Sequence, residues 1–267
     1  MKPEAGFGVA SRDIGRLVLY LIPPGIITSV FVIWELSVSL FDVPVWLLPA
    51  PSDILVEGKE NYSLLWHHTL VTLKEVVFGF LVALGVGLVL AFCMVFSRAF
   101  ERAVYPFIVA SQTIPIIAIA PLLLIWVGYG ITPKIIVVAL ISFFPIVVNT
   151  MDGFKAVDSD AMNMMRTFGA SRWQIFPKLQ LPNSLPYLFT GMKIAIVVSV
   201  IGAVIGEWVG ASEGLGYLMT RSIPQFQTDR VFAAMFILSF LGIILFMLVI
   251  ALRRVIVPWY QSEEYKS

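Results

Sequence analysis

The only histidines, His67 and His68, stand side by side, with no Glu-x-x-His spacing to set two imidazoles on one helix face around a metal. No serine–histidine pairing or Asp-rich cluster accompanies them, so nothing points to hydrolytic or metal chemistry. Gly58-Lys59 is the only Gly-Lys pair, and Glu60 follows where a phosphate-cradling loop needs Ser or Thr. The chain therefore carries no site for ATP hydrolysis and is not expected to be an enzyme. Cys93, the single cysteine, lies in an apolar run and reads as a small buried hydrophobe. There remains a sparse set of polar residues inside long apolar stretches: Gln112, Thr113, Ser142, Asn149, Ser199 and Glu207. Gln112 and Thr113 precede Pro115 and Pro121, whose missing N–H groups free backbone carbonyls. Such breaks are tolerated where neighbours or a cavity satisfy them, and broken spans are common along transport paths. Two readings stay open: a path-lining break, or a simple kink with Gln112 bonded to a neighbouring helix. Glu207, next to Trp208, reads either as a gate or as a solvated residue at the mouth of a path.

A second group is basic. The stretch "NMMRTFGASRWQIFPKLQLPNSLP", Asn163 to Pro186, interrupts the apolar chain with Arg166, Arg172 and Lys178. Asp160 to Phe168 favours a helix, and Gly169 supplies the positive φ that ends one. Ser171 with Gln174 three residues on is a capping-box pair that starts a second short helix. Pro177 should constrain that helix, and Pro182 and Pro186 should separate it from the next span. A helix this short is marginal alone, so it should be ordered by docking through Trp173, Ile175 and Phe176.

The elements that position these residues must be membrane spans. The 267 residues are 59% hydrophobic and 13% charged, with a mean hydropathy of +0.91. No soluble domain can hide that much apolar side chain. Spanning takes about 20 helical residues, and six segments qualify: about Leu17–Leu40, Thr69–Phe96, Ala103–Trp126, Pro133–Met151, Tyr187–Trp208 and Val231–Leu252. The first run is too long for a signal-peptide core and reads as an uncleaved span. With the N-terminus inside, Lys2, Arg12, Arg16, Arg98, Arg102, Lys155, Arg166, Arg172, Lys178, Arg253, Arg254 and Lys266 all fall on the cytoplasmic side. Only Lys59, Lys134, Arg221 and Arg230 fall outside, and Lys74 and Lys193 sit at span ends. This excess puts both termini and the Asn163 segment in the cytoplasm. The net charge of +1, without a basic run interleaved with aromatics, gives no sign of nucleic-acid binding. The spans hold few acids, which speaks against a proton- or sodium-driven carrier and for an external energy source. Between the first two spans, Trp46 and Trp66 suit an interfacial belt, and Ser52 could cap a surface helix beginning near Asp53.

The pattern from Asn163 resembles the cytoplasmic signature of permease subunits of ATP-binding-cassette (ABC) importers. Glycine falls at Gly169, the aliphatic position at Leu179, and the Leu-Pro ending at Leu181-Pro182, with "GAS" at Gly169 to Ser171. One departure is plain: Asn163, Met164 and Met165 stand where Glu-Ala-Ala is usual. "LPAPSDIL" from Leu48, "IPIIAIAPLLLIWVGYG" from Ile114 and "GEWVGASEGLGYLM" from Gly206 are similar to further family stretches. They are most like the branch importing sulfonates, taurine, nitrate, riboflavin and thiamine pyrimidine precursors.

The resemblance implies a single all-α transmembrane permease domain over residues 1–267. It has six helices, cytoplasmic termini, the type I importer fold and a cytoplasmic coupling loop over about 152–186. It places Asn163, Gly169, Ala170, Ser171, Arg172, Trp173, Gln174, Phe176, Leu181 and Pro182 against the ATPase. A path formed in part by Gln112, Thr113, Pro115, Ser142, Asn149, Ser199 and Glu207 would carry the solute. The implied partners are a cytoplasmic ATPase dimer holding ATP and Mg, a second permease copy or close homologue, an external solute-binding protein and the lipid of a bacterial inner membrane. The permease itself binds no cofactor or metal. The solute leans to riboflavin or a thiamine pyrimidine, a vitamin uptake role, ahead of sulfonates, taurine and nitrate. A secondary carrier or channel is the alternative of another class.

Overall fold

Apolar helices dominate because a backbone in lipid must satisfy its own hydrogen bonds, and the described residues contain no strand. The computed structural model describes the backbone of residues 7–260 and the side chains of residues 22–259. Lys2 and Lys266, expected in the cytoplasm, lie outside the described residues. Five helices are each long and apolar enough to cross a bilayer: α1 (Phe7–Leu40), α3 (Tyr62–Phe96), α6 (Thr132–Lys155), the helical run that ends with α9 (Leu181–Gly210), and α11 (Thr228–Ile256).

The expected third span, Ala103–Trp126, is not one rod. It is α4 (Arg98–Ser111) and α5 (Ile116–Val127), bent by 99° at the break between them. The cause is local. Pro115 has no N–H and forces the preceding residue out of the helical region. At the end of α4, side-chain hydroxyls add bonds to backbone carbonyls: Ser111 Oγ donates to Ile108 O and Thr113 Oγ1 to Ala110 O, both at 2.7 Å.

The chain divides into two compact units. In the smaller, residues up to Tyr62 associate with Ser222–Ala233. Its surface helix α2 (Pro51–Glu60) begins at Pro51, whose fixed φ suits a first helical position. Ser52 is therefore inside the helix and not its cap. Its N–H and Oγ both donate to the Glu35 carboxylate of α1, at 3.0 and 2.7 Å. Arg230 Nε meets Glu57 at 2.6 Å, and Thr228 Oγ1 donates to Trp46 O at 2.6 Å.

In the larger unit, α3, α6 and α9 form the core. Small residues set its register. A Cβ on Gly79 would strike Val138, and one on Gly87 would strike Ile146. The numbers rise together, so α3 and α6 run parallel with backbones in close approach. Gly206 faces Lys134, Gly202 faces Val138 and Gly191 faces Pro145, numbers that run oppositely. α6 and α9 are antiparallel along their lengths. Without a hydrophobic drive between helices in lipid, such small-residue seams supply packing. Val76, Phe80, Ile146, Phe189 and Ala203 fill the centre, and Met94, Ile108, Val147 and Met151 close the end toward Phe154.

Candidate coupling and translocation sites

The segment after α6 is built as a knuckle. Helix α7 (Ser159–Thr167) starts where the Asp158 carboxylate accepts from Asp160 N–H at 2.9 Å. It ends at Gly169, with φ of +79°. Gly169 N–H donates to Arg166 O at 2.9 Å and Ala170 N–H to Met165 O at 3.0 Å. This is the paired closure by which a left-handed residue seals a helix end. One turn, α8 (Arg172–Ile175), comes next, with Ser171 N–H donating to Gln174 Oε1 at 2.8 Å.

The prolines beyond do not end the helix. The chain passes through a wider π turn (Phe176–Gln180) directly into α9, so Arg172–Gly210 is one continuous helical run. Pro177, in the second turn of this run, lacks the N–H that would reach back to Trp173, and the chain widens from there. Leu181 N–H reaches back five residues to Phe176 O, and this wider turn accommodates Pro182 at the start of α9. The separation expected from Pro182 and Pro186 is therefore absent, and α8 is continuous with a membrane helix.

Aromatic contacts anchor the knuckle. Phe176 packs on Phe92, Phe96 and Phe154 with ring centroids 5.2 to 5.6 Å apart. Trp173 stacks on Phe96 at 4.5 Å, and Ile175 is buried. Trp173 is nevertheless 68% exposed, beside Met164 at 61% and Phe168 at 81%. Asn163, Ser171, Arg172, Gln174 and Leu181 are exposed as well, and Ala170 and Pro182 are partly so.

The residues expected to line a path do not gather on one surface. Gln112, Thr113 and Pro115 are exposed at the α4–α5 break. Gln112 Nε2 donates to Ser111 Oγ at 3.2 Å and bonds no neighbouring helix in this state. Ser142 and Ser199 are fully buried and bonded to each other at 2.7 Å, a seam between α6 and α9. Asn149 Nδ2 donates to Pro145 O at 2.7 Å, on its own helix. A large apolar cavity of about 850 Å³ lies elsewhere, between α5, α9 and α11, lined by Ile117, Val204, Trp208 and Phe246 among others. No charged side chain lines it.

Glu207 is not at a solvated mouth: it is 1% exposed. Oε1 accepts from Thr72 Oγ1 at 2.6 Å, and Oε2 accepts from Gly216 N–H at 2.5 Å. Thr72 Oγ1 also accepts from Leu215 N–H, and His68 Nδ1 from Gly214 N–H, each at 2.9 Å. The opening amides of α10 (Leu215–Ser222) are thus held by side chains of α3 and α9, an arrangement that suits a carboxylate at a helix N-terminus. Beside it, Lys134 Nζ pairs with Glu75 at 2.6 Å, with both side chains nearly inaccessible. Glu75 is wholly buried.

Motif and spacing do not single out His68, Thr72, Glu75 or Lys134 as partners. The signal that could have found them is charge economy: a buried Glu in an apolar helix requires an opposite charge. The spans are therefore less free of acids than composition suggests, but these charges are paired or hydrogen-bonded internally. No group of three or more metal-ligating side chains exists among the described residues.

Long apolar helices, a sharply bent pair among them, and an exposed helical knuckle continuous with a span mark a multi-pass membrane protein. The family model for the binding-protein-dependent transport system inner membrane component matches residues 83–262. The chain belongs to this family. It is the non-catalytic permease subunit of an ABC importer in the bacterial inner membrane, and its partners are an ATPase and a solute-binding protein.

Among its relatives, the formylaminopyrimidine transport permease ThiX of Halalkalibacterium halodurans is 42% identical, over 87% of this chain and 93% of the relative. The riboflavin transport system permease RibX of Chloroflexus aurantiacus is 36% identical, over 90% of each chain. The inward-facing MetNI methionine ABC transporter shares the fold, with a TM-score of 0.59 at 20% identity, over 73% of this chain and 94% of that one.

Proposed function

We propose that this permease admits a thiamine pyrimidine precursor or riboflavin, and that its α7–α8 knuckle is the cytosolic lever through which the ATPase drives it. The observation that carries the lever is the unbroken helical run from Arg172 to Gly210. A displacement at Trp173 passes along α9 to Glu207 without an intervening hinge. Both termini face the cytoplasm, in keeping with the distribution of basic residues. ATP and Mg sit on the partner ATPases. ATP binding draws them together, moves the two knuckles and opens the path outward, and hydrolysis resets it. A second permease copy or close homologue completes the path. Asn163 stands where the family signature usually has glutamate, so a contact made there is uncharged.

For the solute, support comes from the names of the 42% and 36% identical relatives. The sulfonate and taurine relatives are more distant, at 30% and 26%. The large cavity between α5, α9 and α11 adds to this. Its aliphatic walls and Trp208 suit a flat neutral heterocycle and offer no cation to a sulfonate or nitrate. Isolating the partner binding protein and measuring its retained ligand tests the assignment. Retention of a sulfonate or nitrate, and not of a pyrimidine or flavin, would sink it.

The lever is tested with Gly169→Val. Nothing lies within 4 Å of a Cβ built there, so the only cost is a left-handed β-branched backbone, roughly 1–2 kcal/mol. The variant should insert normally yet lose ATPase association or solute-stimulated hydrolysis. In the same vesicles, single cysteines at Ser171 and Ser212 should label from opposite faces. Normal coupling in Gly169→Val, labelling from one face, or full transport without any ATPase would each refute the reading, the last in favour of a secondary carrier.

A further inference from the structure

Between the knuckle and the ends of α3, α4 and α6 lies a hollow of about 230 Å³. Arg98 from the first turn of α4, Arg166 from α7 and Arg172 from α8 all line it. Among the described residues, none of these three guanidiniums pairs with a carboxylate. Glu101, the one acid in the lining, is engaged by Lys155 at 2.7 Å. Arg166 Nη2 reaches only the Met162 sulfur, at 3.3 Å. The lining thus carries Arg98, Arg166, Arg172 and Lys155 against the single Glu101, and Lys155 takes up that carboxylate, which leaves three guanidiniums from three separate elements without a carboxylate partner. Guanidinium groups are fork-shaped donors matched to phosphate oxygens.

The surroundings point to where that phosphate comes from. The floor is the end of α3, at Met94 and Val95, and the end of α6, at Met151. A second hollow of about 380 Å³ shares Arg98 and Glu101 and adds Arg102, Tyr105 and Pro106. Directly after Pro106 on α4, Phe107 is 76% exposed. The arginine recess thus opens along α4 onto an apolar, outward-facing helix surface, the layout of a headgroup site with acyl chains beside it.

We propose that the Arg98–Arg166–Arg172 recess is a phosphate site, occupied by the headgroup of an acidic phospholipid. A bound phosphate would tie the start of α4 to α7 and α8 and hold the knuckle against the span ends. The proposal rests on the cytosolic placement of the knuckle. Its test is therefore separate from the Gly169 test.

The complex of permease and ATPase is placed in nanodiscs of mixed phosphatidylglycerol and phosphatidylcholine, extracted, and its retained lipid quantified. Wild type should retain phosphatidylglycerol preferentially, and this preference should fall about fivefold for each of Arg98→Gln and Arg166→Gln. Inorganic phosphate is titrated in a second arm. Arginine-dependent phosphate binding without lipid preference would support the same site with a soluble phosphate as its occupant. Equal retention and equal phosphate binding in wild type and Arg98→Gln/Arg166→Gln would overturn the site. A double variant that retains phosphatidylglycerol as wild type does but loses ATPase association would also overturn it, because the arginines would then serve acidic groups of the ATPase. Elution of the variant at the wild-type position in size exclusion establishes that it is folded.

Discussion

Two polar regions of the larger unit are built on opposite plans. Around Glu207, nearly every donor finds an acceptor inside the chain: Thr72, Gly216, Leu215, His68 and Gly214 form one closed set, with Lys134 and Glu75 beside it. Around Gly169 the chain satisfies its own backbone and little else, leaving Phe168, Trp173 and Met164 exposed. The first plan makes a joint that holds α3, α6, α9 and α10 in one arrangement. The second leaves binding capacity for a partner. Closed polar sets spend their interaction free energy on fold specificity, and open ones keep it for association.

Breaking the closed set should cost most. Lys134→Ala strands the Glu75 carboxylate among apolar helices, and loss of one member of a buried pair costs about 3–5 kcal/mol. Thermal unfolding in detergent should show a large drop, and the Glu75→Leu/Lys134→Met pair should recover most of it. A small effect from Lys134→Ala alone would mean that water reaches the pair.

Glu207→Gln is milder. The amide keeps the volume but can accept at only one of the two places where the carboxylate accepts from Thr72 and Gly216. The expected loss is about 1–3 kcal/mol, with faster amide exchange at Gly214 to Gly216. Unchanged exchange there would show that α10 is held by other contacts. Trp173→Ala lies at the other end of the scale. Its stacking on Phe96 contributes about 1 kcal/mol or less to stability, while the affinity for the ATPase should fall roughly tenfold or more. A large stability loss with unchanged ATPase binding would erase the contrast between the two regions.

The knuckle is legible in the amino-acid sequence because its signals are local. Positive φ at Gly169 and the Ser171–Gln174 pair depend on residues within one turn of each other, as do most helix caps. The prolines after it mislead because their effect depends on context: beside a wider π turn, a missing N–H costs little. The sharp break of the third span is signalled by Pro115, but its 99° bend is not. Backbone groups freed by proline can be satisfied at many angles.

Apolar content alone required a bilayer, and the spacing of long apolar runs located the spans, because partitioning between water and lipid acts on each segment separately. The family's knuckle likewise came from residues adjacent in the chain. Only the tertiary structure decided that Glu75 pairs with Lys134, 59 residues away, and not with its neighbour Lys74. It alone decided that Glu207 turns inward to hold α10. Those outcomes depend on how far each helix is rotated and slid against the next. That rotation is set by glycine seams meeting Val138, Ile146 and Lys134 across the bundle, a relation between surfaces that no single segment contains.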